Sequence, residues 1–351
     1  AQSDAAGQRR PSRQEGFAAF VHRERTYVSS EDGERAGAFW AEALAEPPEP
    51  PHLAAGRAVH DGAIARHSVR LDASAAAALR ELARQSGTTL HSTLLAGYFA
   101  LLHRYSGQND LVIGSYRANR SPRNVRTIGC FRNTVAWRVD LGDRPSFGEL
   151  LSRVDDAVTS SEPYLRYPLH DVLEGLDPHG DRLWTELFSC TFQWNKTSRM
   201  IDPRLVTAMT ANEGVDRADV GTMQLEPFAL GVGRSSVELG VGIDEIDAQL
   251  IATFEYATDL FDAQMISRMA RHFEAILAGG ARDPDRPVAA LDMLTEDELD
   301  ELRSVQRSNV VDHDLDRPIH ALIEDQVRLH ADRVAIDAAD ESLTYGELDE
   351  R

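Results

Sequence analysis

The sequence predicts an α+β (mixed α/β) fold, with helices and antiparallel-looking strands sharing one body. Three observations lead there. Val135, Trp137 and Val139 alternate with Ala136, Arg138 and Asp140, the period-two pattern of a half-buried strand. Elsewhere apolar residues recur at helical spacing behind capping residues, as in Met265, Ile266, Met269, Phe273, Ile276 and Leu277 behind Asp262. The strands Ser236 to Ile243 and Leu250 to Tyr256 are joined by Asp244-Glu245-Ile246-Asp247-Ala248, a hairpin-sized polar loop.

Taken in order, residues 1 to 15 are polar and Arg-rich and are expected to be disordered. Amphipathic helices follow around Phe17, Phe20 and Val21, and from Ala36 to Leu44. The run Pro47-Pro48-Glu49-Pro50-Pro51 ends the second and stiffens a linker. His67 to Leu71 reads as a strand. Asp72 or Ser74 caps a helix to Gln85, with Gly87 just past its end. Thr88 or Thr89 caps a nearly all-apolar helix to Tyr105, closed by Gly107, which should be buried. Asp110 to Ser115 is a short apolar strand. Gly129 makes a turn, and Asn133 and Thr134 lead from it into the Val135 strand, a geometry that aims a polar side chain into a cleft.

Ser146 caps a helix from Phe147 to Val158, and Pro168 opens another to Leu176. Leu187 to Trp194 is a strand. Lys196 to Val220 is polar and irregular, a length of loop that is often functional. Strands at Met223 to Leu230, Ser236 to Ile243 and Leu250 to Tyr256 follow. The helix Ala263 to Leu277 is expected to close at Gly279-Gly280. Thr295-Glu-Asp-Glu298 is a capping box opening a short helix. There is no internal repeat. One body spans about 52 to 294, and a second segment starts near Asp312.

Composition narrows the function classes. The 351 residues are 42% hydrophobic, enough for an ample core. A net charge of −20 argues against nucleic acid and anionic membrane surfaces as partners. No apolar run reaches the roughly 20 residues of a membrane helix. Cys130 and Cys190, both in apolar runs, are expected to be buried free thiols, as in a reducing cytoplasm. The start Ala1-Gln-Ser-Asp, without an initiator Met or a signal core, suggests a piece of something longer. His170 and His179 bracket an acidic stretch without a ligand partner at metal spacing. Ser160-Ser161 and Ser235-Ser236 lack a nucleophile-elbow context. No metal is expected.

Five collinear blocks resemble condensation domains of nonribosomal peptide synthetases. They are Leu94 to Ser115; Arg120, eight residues before Ile128; Ile128-Gly-Cys-Phe-Arg-Asn-Thr134, like I-G-x-F-x-N-T; Glu255-Tyr-Ala-Thr-Asp-Leu-Phe-Asp262; and Asp283-Pro-Asp-Arg-Pro-Val288 with Leu294-Thr-Glu. Pro318 to Arg351 resembles the opening of an adenylation domain, including Leu343-Thr-Tyr-Gly-Glu-Leu348. Two family segments are degraded, at Tyr164 to His170 and at Gly180 to Phe188.

The resemblance implies a chloramphenicol-acetyltransferase-like lobe and amide-bond formation between carrier-bound substrates. Family catalysis centres on H-H-x-x-x-D-G, which this chain lacks; His60-Asp61-Gly62 matches only in part. The chain is therefore expected to be the C-terminal lobe, inactive alone. Its expected divisions are 1–51 as a disordered start and the end of the linker helices, 52–297 as the lobe, 298–317 as linker and 318–351 as the adenylation fragment. Asn133, Thr134, Arg120 and Gly129 are the residues expected to line the tunnel or lie near substrate. Arg120 could meet a phosphopantetheine phosphate or make a structural ion pair, and Asn133 could line the tunnel or cap a turn. No cofactor is expected on the fragment itself, phosphopantetheine belonging to partner carrier proteins upstream and downstream. The adenylation domain of the same module and the absent N-terminal lobe complete the expected partners. A non-catalytic docking lobe and an epimerisation-type relative are the competing readings.

Overall fold

The computed structural model describes residues 15–53, 62–176, 187–196, 218–220, 223–225, 237–246, 248–308, 318–338 and 342–351. They fall into two units, residues 1–294 and 295–351. The expected disorder of residues 1–14, the partial motif at His60-Asp61, His179, Ser235 and most of the 196 to 220 segment lie outside the described residues.

The first unit contains helices α1 (Phe17–Val28), α2 (Glu31–Ala43), α3 (Ala73–Gln85), α4 (Leu90–Ser106), α5 (Phe147–Ser161), α6 (Leu169–Leu176) and α7 (Ala263–Arg282). Its strands are β1 (Ile64–Arg70), β2 (Asp110–Arg117), β3 (Asn133–Asp140), β4 (Cys190–Lys196), the short pair β5 (Ala218–Val220) and β6 (Met223–Leu225), β7 (Leu239–Ile246) and β8 (Gln249–Ala257). Six strands form one mixed sheet in the order β1-β8-β7-β4-β2-β3. The pairs β1–β8, β7–β8 and β2–β3 are antiparallel, while β4 runs parallel to both β7 and β2.

Alternation decides what each face carries. One face presents Phe192, Trp194, Leu239, Val241, Ile243, Ala252, Phe254 and Tyr256 to the core. Helices α3, α4, α5 and α7 pack there. Every residue of α4 from Ser92 to Leu102 is buried, as its all-round apolar sequence implies. Phe254 meets Phe273 of α7 edge-on at 5.9 Å, and Tyr98 of α4 donates its hydroxyl to the Leu239 carbonyl at 3.0 Å. Each such fully buried side chain stabilises the fold by about 1.5–3 kcal/mol.

Caps fix the helix starts. Asp72 accepts from the Ser74 and Ala75 N–H groups, Thr89 from Ser92 and Asp262 from Met265. Ser146 and Glu149 form a reciprocal capping box, and Gly107 ends α4 at φ 70°. Three expectations are corrected. Helix α7 does not close at Gly279-Gly280 but runs on to Arg282. A Cβ on Gly280 would overlap the Phe147 ring, so this glycine permits close packing and is no terminator. Cys130 is exposed, because it stands on a loop whose ring Phe131, not its thiol, points inward; Cys190 alone is buried. The β7–β8 hairpin is also tighter than expected, with pairing continuing to Ile246 and Gln249.

The second unit holds α8 (Glu296–Ser308), α9 (Ile319–His330), the antiparallel pair β9 (Val334–Asp337) and β10 (Ser342–Thr344), and α10 (Tyr345–Glu350). Thr295 and Glu298 bond reciprocally at the start of α8, as do Thr344 and Glu347 at α10.

Candidate functional site

The loop between β2 and β3 carries Arg120 and Gly129, and Asn133 and Thr134 open β3. Between residues 111 and 139 the chain has Arg117, Arg120, Arg123, Arg126, Arg132 and Arg138 and no acidic side chain, a basic island on a chain of net charge −20. Arg120 organises the loop. Its Nη1 donates to the carbonyls of Asn124 and Thr127, both at 2.9 Å, and its Nη2 to Gly129 at 3.1 Å. These carbonyls have no strand ladder to join; Asn124 also accepts the Thr127 N–H at 2.9 Å, and the guanidinium adds a donor to each of the three. Its face lies 4.3 Å over the Phe131 ring.

Phe131 in turn packs edge-on against Phe17 and Phe20 of α1. A Cβ on Gly129 would stand 2.5 Å from the Phe17 ring, so only glycine lets α1 seat this closely. Asn133 donates its amide to the Leu165 and Tyr167 carbonyls at 2.9 and 2.7 Å, fastening the start of β3 to the segment entering α6. Thr134 is half-buried and pairs with Tyr116. The four residues are thus gathered at one end of β3.

The other face of the sheet holds a groove of about 210 Å³. None of those four residues lines it. Its floor and banks are Arg66, Tyr116, Thr191, Gln193, Asn195, Gly240, Val241, Gly242, Asp244, Thr253 and Glu255. Arg66 donates Nε and Nη2 to one Glu255 oxygen at 2.9 and 2.7 Å, across the β1–β8 pair. Ser68 and Thr253 hydroxyls lie 3.0 Å apart. Strands β2 and β4 pair only at Gly114 and Thr191; beyond that rung, Gln193 accepts the Tyr116 N–H at 3.2 Å. Sequence reasoning marked none of these groove residues as a site. The signal present was Leu239-Gly-Val-Gly-Ile243, in which every second residue is bare.

Two core-side histidines are His272, which meets the Tyr105 hydroxyl at 2.7 Å, and His91. His91, at the start of α4, is ringed by Trp137, Phe192 and Trp194 at 5.4, 5.7 and 6.5 Å. Burial, helped by the Arg117 charge and opposed by Asp155, pushes its pKa down to about 4. It is a neutral ring in an aromatic nest, on the face opposite the groove. Burial likewise pushes the Cys190 thiol up to about 12, which makes it unreactive. Among the described residues, no group of His, Cys, Asp and Glu is arranged to hold a metal, and no helix is long and apolar enough to cross a membrane.

Comparison with known proteins adds the family context. Residues 2–303 match the family described as condensation domain. The chain is 34% identical over 291 residues to phosphinothricin tripeptide synthetase PhsC of Streptomyces viridochromogenes, covering 82% of this chain and 25% of that one. It is 33% identical over 283 residues to bacitracin synthase 3 of Bacillus licheniformis, and 30% over 287 residues to malpinin synthetase of Mortierella alpina. Those alignments cover 80% and 82% of this chain but only 4% of either relative.

Among solved structures, the fold resembles a four-domain nonribosomal peptide synthetase bound to AMP and glycine, with TM-score 0.71 and 21% identity over 99% of this chain and 26% of that one. It resembles the X-domain from teicoplanin biosynthesis, with TM-score 0.66, 24% identity and coverage of 82% and 64%. It also resembles the first condensation domain of the calcium-dependent antibiotic synthetase in complex with a substrate analogue, with TM-score 0.62, 21% identity and coverage of 81% and 59%.

Proposed function

The chain belongs to the condensation-domain family of nonribosomal peptide synthetases, and from that premise we propose that it supplies one wall of an amide-forming site. In this reading a carrier-bound aminoacyl amine attacks a carrier-bound acyl or peptidyl thioester. A C–N bond forms, the C–S bond breaks, and the proton lost by the amine ends on the departing thiol. Tethering both substrates by phosphopantetheine raises their effective concentration, so the site chiefly has to align them. The observation that carries the reading is the polar groove on the sheet face opposite the packed helices. A face bearing hydroxyls, two amides, an ion pair and two bare glycines is suited to hold an extended polar chain.

Among the described residues that line the groove there is no histidine, and His91 is held neutral on the other face. We therefore propose that this chain acts as the C-terminal lobe, and that an N-terminal lobe bearing H-H-x-x-x-D-G provides the proton-handling group. The chain spans 59% of the calcium-dependent antibiotic condensation domain that it resembles. The Arg-rich loop, held in shape by Arg120, is the proposed docking side for acidic or phosphate-bearing carriers. Asn133, Thr134 and Gly129 shape the tunnel entrance there by fixing β3 and α1. Residues 318–351 are proposed as the start of an adenylation domain, contributing structure and no nucleotide chemistry.

The test combines the complete protein with an acyl-loaded donor carrier and an aminoacyl-loaded acceptor carrier, reading acceptor-bound product by mass spectrometry. The complete protein should form the amide, and this chain alone should not. Absence of product from the complete protein, or turnover by the chain alone, would overturn the reading.

A further inference from the structure

Gly240 and Gly242 share the groove face of β7, yet they are glycine for different reasons. A Cβ on Gly240 would lie 2.8 Å from the Thr191 hydroxyl, so a side chain there requires Thr191 to move. A Cβ on Gly242 would meet nothing nearer than the Thr253 carbonyl at 3.9 Å. Glycine weakens a strand interior, and packing does not require it at 242. The register runs unbroken through both glycines, so no bulge accounts for Gly242, and a bare strand position is suited to close approach by a ligand or another backbone.

Register turns the two glycines into a trough. Gly242 pairs with Gln193 on one side and Thr253 on the other; Gly240 pairs with Thr191 and Glu255. The trough runs one strand wide between these banks, with Asp244, only 2% exposed, next along β7 on the same face. The one guanidinium in the lining already donates two N–H groups to Glu255, so the lining favours a neutral or amine-bearing group over an anion. The remaining groups are hydroxyls, amides and the Asp244 carboxyl, which suit hydrogen-bond donors.

We infer that the trough seats the amine-bearing aminoacyl end of the acceptor, and that the bare backbone at Gly242 sets how large its side chain can be. This rests on the amide-forming reading above and adds a specificity-determining residue to it. A methyl at Gly242 narrows the trough, and an isopropyl bridges it from Gln193 to Thr253.

The experiment pairs Gly242→Ala and Gly242→Val with two acceptors, glycyl and leucyl, on the same carrier. In the complete protein, Gly242→Ala should keep the wild-type thermal midpoint. It should lose about tenfold or more in kcat/KM for the leucyl acceptor, with a smaller loss for glycyl. Gly242→Val should lose both. In the chain alone, glycinamide should shift the amide resonances of Gly240, Gly242 and Thr253, and Gly242→Val should abolish those shifts. Amide formation with unaltered acceptor preference in both variants would remove the seat and leave the amide-forming reading standing. Glycinamide shifts at the trough without product from the complete protein would do the reverse. Glycinamide shifts confined to other residues would also overturn the inference.

Discussion

Gln193 accepts the Tyr116 backbone N–H at 3.2 Å across the seam between β4 and β2. The two parallel strands share a single paired position, Gly114 with Thr191, so a side chain stands in for the next backbone rung. The sheet can splay here and still leave no orphaned donor.

Replacing Gln193 should therefore open the seam. Gln193→Leu keeps volume and removes the acceptor, leaving the half-buried Tyr116 N–H without its partner. The expected cost is about 1–2 kcal/mol in urea unfolding. Amide exchange at Tyr116 should quicken more than at Leu111, deeper in the same strand. Unchanged exchange at Tyr116 would show that the seam is held by something else.

Arg120 closes its loop through geometry as well as charge. Arg120→Lys keeps the cation but cannot reach three carbonyls and cover the Phe131 ring together. Both Arg120→Lys and Arg120→Ala are expected to destabilise by about 1–2 kcal/mol. Arg123→Ala and Arg126→Ala, on exposed loop positions, should stay within about 0.5 kcal/mol of wild type. Equal stability for all four variants would refute the clamp.

His91 gives the protein an acid-labile element. Its folded pKa near 4 lies below the ordinary value of 6.5, so between these pH values the unfolded chain binds the extra proton. Stability from this group is complete above about pH 6.5 and falls as pH drops towards 4. After allowing for its partial exposure, the loss is worth about 2 kcal/mol. His91→Phe keeps a ring among Trp137, Phe192 and Trp194 and should flatten this part of the pH profile. Parallel wild-type and variant midpoints from pH 7 to 4 would contradict it.

Glu24 works in the opposite direction. Burial first, and the Asp171 carboxylate second, raise its pKa, against the pull of Arg166 and Arg23. The folded state then holds the proton more tightly than the unfolded one, so stability falls as pH rises from about 4.5 through the raised value. Glu24→Gln should raise the thermal midpoint at pH 7 and leave it unchanged below pH 4. A loss at pH 7 would mean that the Arg23 and Arg166 attractions outweigh burial.

Much of the framework was legible in the sequence because local chemistry determines it. Asp72, Thr89, Ser146 and Asp262 cap helices where their spacing to apolar runs implied. Period-two alternation located β3, and the hairpin-sized polar loop located β8, to within two residues at either end. The groove was not legible, since Arg66 and Glu255 are 189 positions apart and meet only through strand pairing. Gly280 misled for a related reason: a glycine pair near the end of a helical pattern reads as a stop, and only the facing Phe147 shows why the helix continues. Arg120 and Asn133 were singled out by resemblance, while their hydrogen-bond partners depend on a loop path that no local rule determines.

The central claim is that the groove face of the six-stranded sheet lines the reaction site. Photo-crosslinking from an acceptor carrier whose phosphopantetheine ends in a diazirine-bearing aminoacyl group, in the complete protein, tests it most directly. Labelled peptides should map to Thr191–Asn195, Gly240–Asp244 and Thr253–Glu255. Labelling confined to the helix-covered face around His91 and Trp137, with none on those three strands, would contradict it.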